Sequence, residues 1–530
     1  MSFKEGKFKE ARESYEMGLK IFTKVAEQTP DDLDAQRNLS ISYDKLGDVA
    51  DAEGKRGEAR GFYEKELEIS AQIVEQTPND PQALRDLIIA YDRLADLLNS
   101  EGKHERAREY YEKDVELRKK VLEQTPDDLE IARDLGVSYY KLGGLLGAEG
   151  DRKQAREYYE KALEIWKKIV EQTPDDIQAL RALSAIYNIL GNLSDAEGDR
   201  KQEREYYEKA LEIRKKIIER TPDDLEALGD LSSAYSNLGN LSYTEGDCKQ
   251  AREYFEEALD IRKKIVERTP DDIQALRDLS SAYKNLAVIS DAEGDLKQER
   301  EYYEEALEGF EKFVEQTPDD IQALQDLSIT YNNLGFLSNA EGDRKQAKEY
   351  YENALESFKK IVERTPDDIQ ELRNLSAAYN ILGNLSDAEG DRKQAKEYYE
   401  NALEGFKKIV EQTPDNPQAL GDLGAVYGNL GVLSDAEGDC KQAREYFEKA
   451  LEGFEKYIEQ TPDDIQTLRT LSGFYIKLGL LSYAEEDRKQ AKEYYDKASE
   501  GFNKIVEQTP DDLKALQVLA YLQAKLEEEF

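Results

Sequence analysis

The chain has 530 residues, 74 of them basic and 115 acidic, giving a formal charge of −41, and 39% of its residues are hydrophobic. One His (His104) and two Cys (Cys248 and Cys440) cannot furnish a His-rich metal centre. They leave no practical Cys–His or Ser–His catalytic pair and cannot staple a secreted scaffold. The charge disfavours duplex nucleic acid and anionic lipid as partners, while the apolar content is that of a folding chain. Met1-Ser2-Phe3-Lys4-Glu5-Gly6-Lys7 carries no apolar leader, and no run reaches the roughly 18–20 apolar residues that span a bilayer. A cytoplasmic protein with no membrane partner is expected.

Taken in chain order, the sequence is one unit repeated. Thr-Pro recurs at a constant step of 48 from Pro30 to Pro510, taking eleven of the 13 prolines, and Glu-Gly-Asp recurs at the same step from Glu149 to Glu437. The expected organisation is a single repeat array over 1–530. It comprises a helix B at 1–28, ten 48-residue periods of helix A and helix B over 29–508, and a terminal helix A at 509–530.

The period Thr173–Arg220 shows the grammar. Thr173 is expected to cap helix A, with Pro174 at its first position and Asp175 and Asp176 at the positive end of its dipole. Helix A then runs from Ile177 and stops at Gly198. Asp199-Arg200-Lys201-Gln202 reads as a capping-box variant opening helix B, which continues to about Glu219. Each helix has roughly 21 residues, about 32 Å. No segment alternates as a strand would.

Three columns hold 28 of the 33 tyrosines: that of Tyr43, and the two exemplified by Tyr206 and Tyr207. They read as packing between helices. Helix B also changes along the chain. Ile213-Arg214 and Ile261-Arg262 give way to Gly309-Phe310, Ser357-Phe358, Gly405-Phe406, Gly453-Phe454 and Gly501-Phe502, which predicts a different packing in the later periods.

Leu190-Gly191, Gly198, Tyr207 and Ala210-Leu211 together resemble the tetratricopeptide signature: a small residue in helix A, a Gly between the helices, and an aromatic followed by Ala-Leu in helix B. The usual period is 34, so this one is longer by about two turns per helix. It is similar to the lengthened repeats of kinesin light chain and of prokaryotic multi-repeat scaffold proteins. The resemblance implies an all-α fold, an α-solenoid in which about 22 long helices form antiparallel pairs along a right-handed superhelix. It also implies a concave helix A surface that holds proteins or peptides.

On that surface the resemblance places the variable column of Asn192. This column reads Asp48, Asp96, Gly144, Asn192 and Asn240, then Val288, Phe336, Asn384, Val432 and Leu480. Helical spacing groups it with Arg181, Ala185, Asn188 and Asp195. The partner-binding residues expected from this stripe are Arg181, Arg277 and Arg373 in the first column, and Asn188, Lys284 and Asn380 in the third. Asn192, Val288, Phe336, Asn384, Val432 and Leu480 follow in the fourth. Asp195, Tyr243, Asp291, Asn339, Asp387, Asp435 and Tyr483 fill the last. The result is an amphipathic groove, more apolar toward the C-terminal half. Lys284 is followed by Val288 rather than Asn, so a chaperone-tail carboxylate clamp is not expected.

No catalytic residue, metal site or cofactor is expected. The Asp195–Asp199 tract lacks calcium-loop spacing and reads as a turn. The expected function is a non-enzymatic scaffold for a protein or peptide of some basic character, and the expected state is a monomer. The alternatives are a structural solenoid associating head to tail through its open ends, and the regulatory repeats of a larger signalling enzyme.

Overall fold

A computed structural model describes residues 2–529. Among these residues there are 22 α-helices, numbered α1 to α22 in chain order, and no strand. Odd-numbered helices are the B helices and even-numbered ones the A helices. The chain divides into two compact units, Met1–Ile261 and Arg262–Phe530; the division falls within α11 (Cys248–Arg268). None of the helices is long and apolar enough to cross a membrane.

Within each unit, helices adjacent in sequence pack on each other. In the first unit, α8 (Ile177–Glu197) and α9 (Arg200–Arg220) are joined by Gly198-Asp199. Gly191, late in α8, lies against Tyr207, early in α9, so the pair is antiparallel. In the second unit α12 (Ile273–Glu293) and α13 (Leu296–Gln316) do the same: Ser280, in the first half of α12, faces Gly309, in the second half of α13.

The helix boundaries follow local chemistry, with one correction to the sequence reading. Thr173 does not cap helix A. It closes the preceding helix, donating its hydroxyl to Ile169 O at 2.7 Å. The cap is Asp176, which accepts from Gln178 N at 2.9 Å and Ala179 N at 3.1 Å. A side-chain carboxylate three residues on reaches two orphan amides and outcompetes the hydroxyl. The Thr-Pro-Asp-Asp tract is therefore a turn, closed by Asp176 N donating to Thr173 O at 3.1 Å. Proline does take the first helical position, but at Pro81 and Pro417. The Asp199 reading holds, since it accepts from Gln202 N at 3.0 Å.

Helix A ends in a left-handed residue. From Gly54 to Gly438 this is glycine in nine periods, with φ between 73° and 88°. In the next period the same position is Glu486, at φ 66°. A side chain in that region costs about 1 kcal/mol. Glu486→Gly is therefore expected to stabilise the second unit by about 1 kcal/mol, read as a higher urea midpoint at an unchanged slope.

The core repeats as well. Tyr187 packs on Tyr206 with ring centroids 6.0 Å apart, and the equivalent pairs recur through Tyr475 and Tyr494. Where the residue is glycine the change in helix B has a steric cause, while Ser357 keeps its Cβ beside the equally buried Phe358. A Cβ at Gly309 would lie 2.0 Å from Ser280 Oγ, and one at Gly405 would lie 2.0 Å from Ser376 Oγ. Losing that Cβ lets the two helices close up, while Phe310 and Phe406 fill the buried position one residue on.

Candidate functional site

The stripe on the A helices separates into residues that hold the array together and residues that face outward. The arginine column belongs to the first group. Arg37 Nε donates to Asp86 at 2.7 Å, and Arg85 to Asp128 at 2.6 Å. Arg181 pairs with Asp224 and Glu226, Arg277 with Asp326 at 3.4 Å, and Arg373 with Asp422 at 2.7 Å. Each acceptor lies on the helix A of the following period. Asp128, Asp176 and Asp224 are themselves helix caps, so one carboxylate serves a helix terminus and an arginine together. The Arg133 guanidinium, then burial-opposing amide bonds, hold the Asp176 carboxyl below its usual range. Asp224 is held low first by the Ala227 amide and then by Arg181.

The carboxamides are engaged in the same way. Asn188 accepts from Asn237 Nδ2 at 2.8 Å. Asn380 and Asn384 both accept from Asn429 Nδ2, at 2.9 and 3.0 Å. Lys284 donates to Asp326 at 2.6 Å. Asn192 and Asn384 also accept the hydroxyls of Tyr207 and Tyr399, at 2.7 and 2.8 Å. Asp48 and Asp96 do this for Tyr63 and Tyr111, at 3.0 and 2.6 Å. At these four positions the polar member of the variable column takes the hydroxyl of the tyrosine behind it, and burial pushes the Tyr207 and Tyr399 phenols up.

In the last column, Asp195 accepts from Arg200 at 2.6 Å and Asp435 from Lys477 at 3.2 Å. Asp291 and Asn339 are exposed, and Asp387 is half-buried. Tyr243 is exposed. Tyr483 is half-buried, with Lys525 Nζ 4.9 Å from its ring centroid.

The apolar members behave differently. Phe336 is 61% exposed, and Val432 and Leu480 are 40% and 41% exposed; Val288 is half-buried. The residue following each in sequence, such as Leu337 or Leu433, is buried, so the helix is anchored while these side chains point outward. Sequence reasoning missed a second set. Ile41, Ile89 and Val137 are exposed in three consecutive periods of the first unit. They stand at the Ala185 position, and the signal was there to read: Ile, Ile and Val in the first three periods, Ala or Ser in the next three.

Tetratricopeptide repeat models match residues 137–216 and 230–312, 87–129, and 329–368, 376–404 and 424–452, together more than half of the chain. The chain belongs to the tetratricopeptide repeat family. No curated protein matches it. Among solved structures it is similar to BtubC (BKLC) from P. vanneervenii, at 21% identity and a TM-score of 0.37, over 49% of this chain and 92% of that one. It is also similar to a signal transduction ATPase with numerous domains carrying a tetratricopeptide repeat sensor, from Pyrococcus horikoshii. That match has 17% identity and a TM-score of 0.43, and covers 76% of this chain and 54% of that one. Tetratricopeptide repeats generally mediate protein–protein interaction as non-enzymatic scaffolds.

Two outcomes follow from the ladder. Arg181→Ala is expected to cost about 1 kcal/mol of stability, as loss of a part-buried ion pair does, measured by chemical denaturation. Acid should act in the same direction. Carboxyls held low in the fold, such as Asp176 and Asp224, contribute stability above the ordinary Asp value of about 3.9. That contribution is lost as pH falls through their lower folded values, so urea midpoints should drop steadily below about pH 4.

Proposed function

We propose that this tetratricopeptide repeat protein is a monomeric, cytoplasmic, non-enzymatic scaffold that binds a protein or peptide on the helix A face, with its apolar anchors in the second unit. The observation that carries this reading is Phe336, an aromatic side chain left 61% exposed at a repeat position that also exposes Val432 and Leu480. An exposed apolar residue standing alone is ordinary. Three at one structural position make a surface that needs a partner's apolar side chains to leave water.

Lys284, Asp291, Asn339, Asn380, Asn384, Asp387, Asp435 and Tyr483 would border these anchors and supply polar contacts. Arg277 and Arg373 would act mainly by holding successive helices in register. In the first unit Arg181, Asn188, Asn192, Asp195 and Tyr243 extend the same pattern, and the exposed aliphatic side chains there stand in the Ala185 column instead, at Ile41, Ile89 and Val137. The formal charge of −41 favours a partner with basic character.

The test uses a partner identified by affinity purification and then titrated directly against the purified chain. Phe336→Asp together with Val432→Asp is expected to weaken binding at least roughly tenfold, as loss of buried apolar anchors does, with an unchanged helical circular dichroism spectrum. Undiminished binding by the folded double variant overturns the reading.

A further inference from the structure

Helix B carries a column of buried alanines, from Ala162 and Ala210 through Ala450 and Ala498. Two earlier periods break it with acids, Glu66 and Asp114, and both are buried. A carboxylate inside a helix stack is costly unless it is paired. Asp114 is paired: Arg118 Nε donates to both of its oxygens at 2.9 Å, and the Ser138 hydroxyl donates to it as well. One period earlier the position of Arg118 is Ser70, and that of Ser138 is Ala90.

Glu66 therefore stands in the same place without either partner. It is 3% exposed, and its Oε2 is buried with no hydrogen-bond partner. Burial, and then the neighbouring Asp44, push its carboxyl up to about 9. The cations nearby face other carboxylates. Lys45 lies 2.7 Å from Asp44, Arg93 lies 3.6 and 3.5 Å from Asp44 and Asp48, and Arg37 lies 2.7 Å from Asp86.

The Glu66 side chain lines a pocket. Glu66, Asp44, Asp86, Arg37 and Ser40 line a space of about 50 Å³ together with Ile41 and Ile89, which are 46% and 44% exposed. The volume suits one ammonium group, close to the share of a water or two, and is small for a planar guanidinium. The isoleucines offer an apolar wall to an alkyl stem, the way lysine stems lie on apolar surface. A hard metal ion would want six or more oxygens, and no cluster of three or more His, Cys, Asp or Glu is arranged to hold one among the described residues.

We propose that this pocket in the first unit receives a lysine side chain from a partner protein, its ammonium seated against Glu66 and its stem against Ile41 and Ile89. The partner thus supplies the cation that Arg118 supplies to Asp114 internally. Since alanine fills the position in eight other periods, Glu66 is not there to build the repeat. The site is independent of the apolar anchors around Phe336.

The test measures fluorescence anisotropy of a fluorescein-labelled pentapeptide, Leu-Ala-Lys-Ala-Leu, and of its counterpart with norleucine in place of lysine, against the full chain. At about pH 9.5, where the Glu66 carboxyl ionises and a lysine is still mostly protonated, the wild type is expected to bind the lysine peptide about tenfold tighter, the worth of a charge-assisted hydrogen bond, and n-butylammonium chloride should displace it; near pH 7 the preference should shrink. Glu66→Ala should erase that preference while melting at or above the wild-type temperature, because it restores the residue of the other periods. Phe336→Asp should retain the preference. Equal affinity for the two peptides overturns the proposal, as does a lysine preference that survives in Glu66→Ala, which marks general attraction to an acidic surface. Displacement by potassium chloride equal to that by n-butylammonium chloride assigns the pocket to a simple ion and overturns it too.

Discussion

The close approach of helix A to helix B beneath an aromatic ring is the contact on which the rest of the repeat depends. A Cβ at Gly191 would sit 2.5 Å from Tyr207 Cε1, and one at Gly383 would sit 2.5 Å from Tyr399 Cε1. The missing side chain lets the ring lie flat against the backbone of its partner helix, and the buried alanines of helix B do the same for the opposite approach. With that distance fixed, the Tyr187–Tyr206 contact and the buried leucines follow. A hydroxyl at the ring's outer end then reaches the variable column of helix A. Packing thereby dictates part of a surface that looks free to vary.

Charge is handled by pairing between periods. The arginines of helix A reach forward to aspartates of the next period, either its helix caps, as at Asp128, Asp176 and Asp224, or a residue inside the helix, as at Asp86 and Asp422. Arg156 and Arg204 of helix B reach Glu197 and Glu245 across the same interface. Carboxylates that cap helices, accept tyrosine hydroxyls or receive these arginines are therefore structural, and the excess acid lies on the solvated faces. The buried carboxyl is paired inside the array at Asp114, whereas at Glu66 burial pushes it up to about 9 and keeps it neutral.

Much of this was legible in the sequence. A constant step of 48 and its columns of Gly, Tyr and Ala sufficed for helix number, length, order and family, because each period must solve the same packing problem. The helix B shift at Gly309-Phe310 was visible as a change of phase, although its steric cause, Ser280 Oγ against the glycine, was not. The Thr173 assignment failed because a hydroxyl and a carboxylate three residues apart are both good caps, and only the backbone path shows which one reaches the free amides. The Arg181 column read as available for binding because its acceptors lie some 43 to 49 residues away, on another helix. Ile41, Ile89 and Val137 were hard to read because their column turns to Ala185, Ser233 and Ser281 in the next three periods, and an apolar residue on a helix face reads as core until its neighbours are placed.

The sequence by itself determined the period, the two helices within it and the residues that must be small or aromatic, since these are set by local backbone chemistry and by a distance every copy shares. Only the tertiary structure decided which polar residues are occupied and which side chains are left to solvent. Whether Arg181 faces a partner or Asp224 depends on how one period lies on the next. Whether Glu66 is paired depends on an arginine that its neighbouring period has and its own lacks. Such pairings join residues a full repeat apart, and a column read along one strand of text does not carry the distance across the interface.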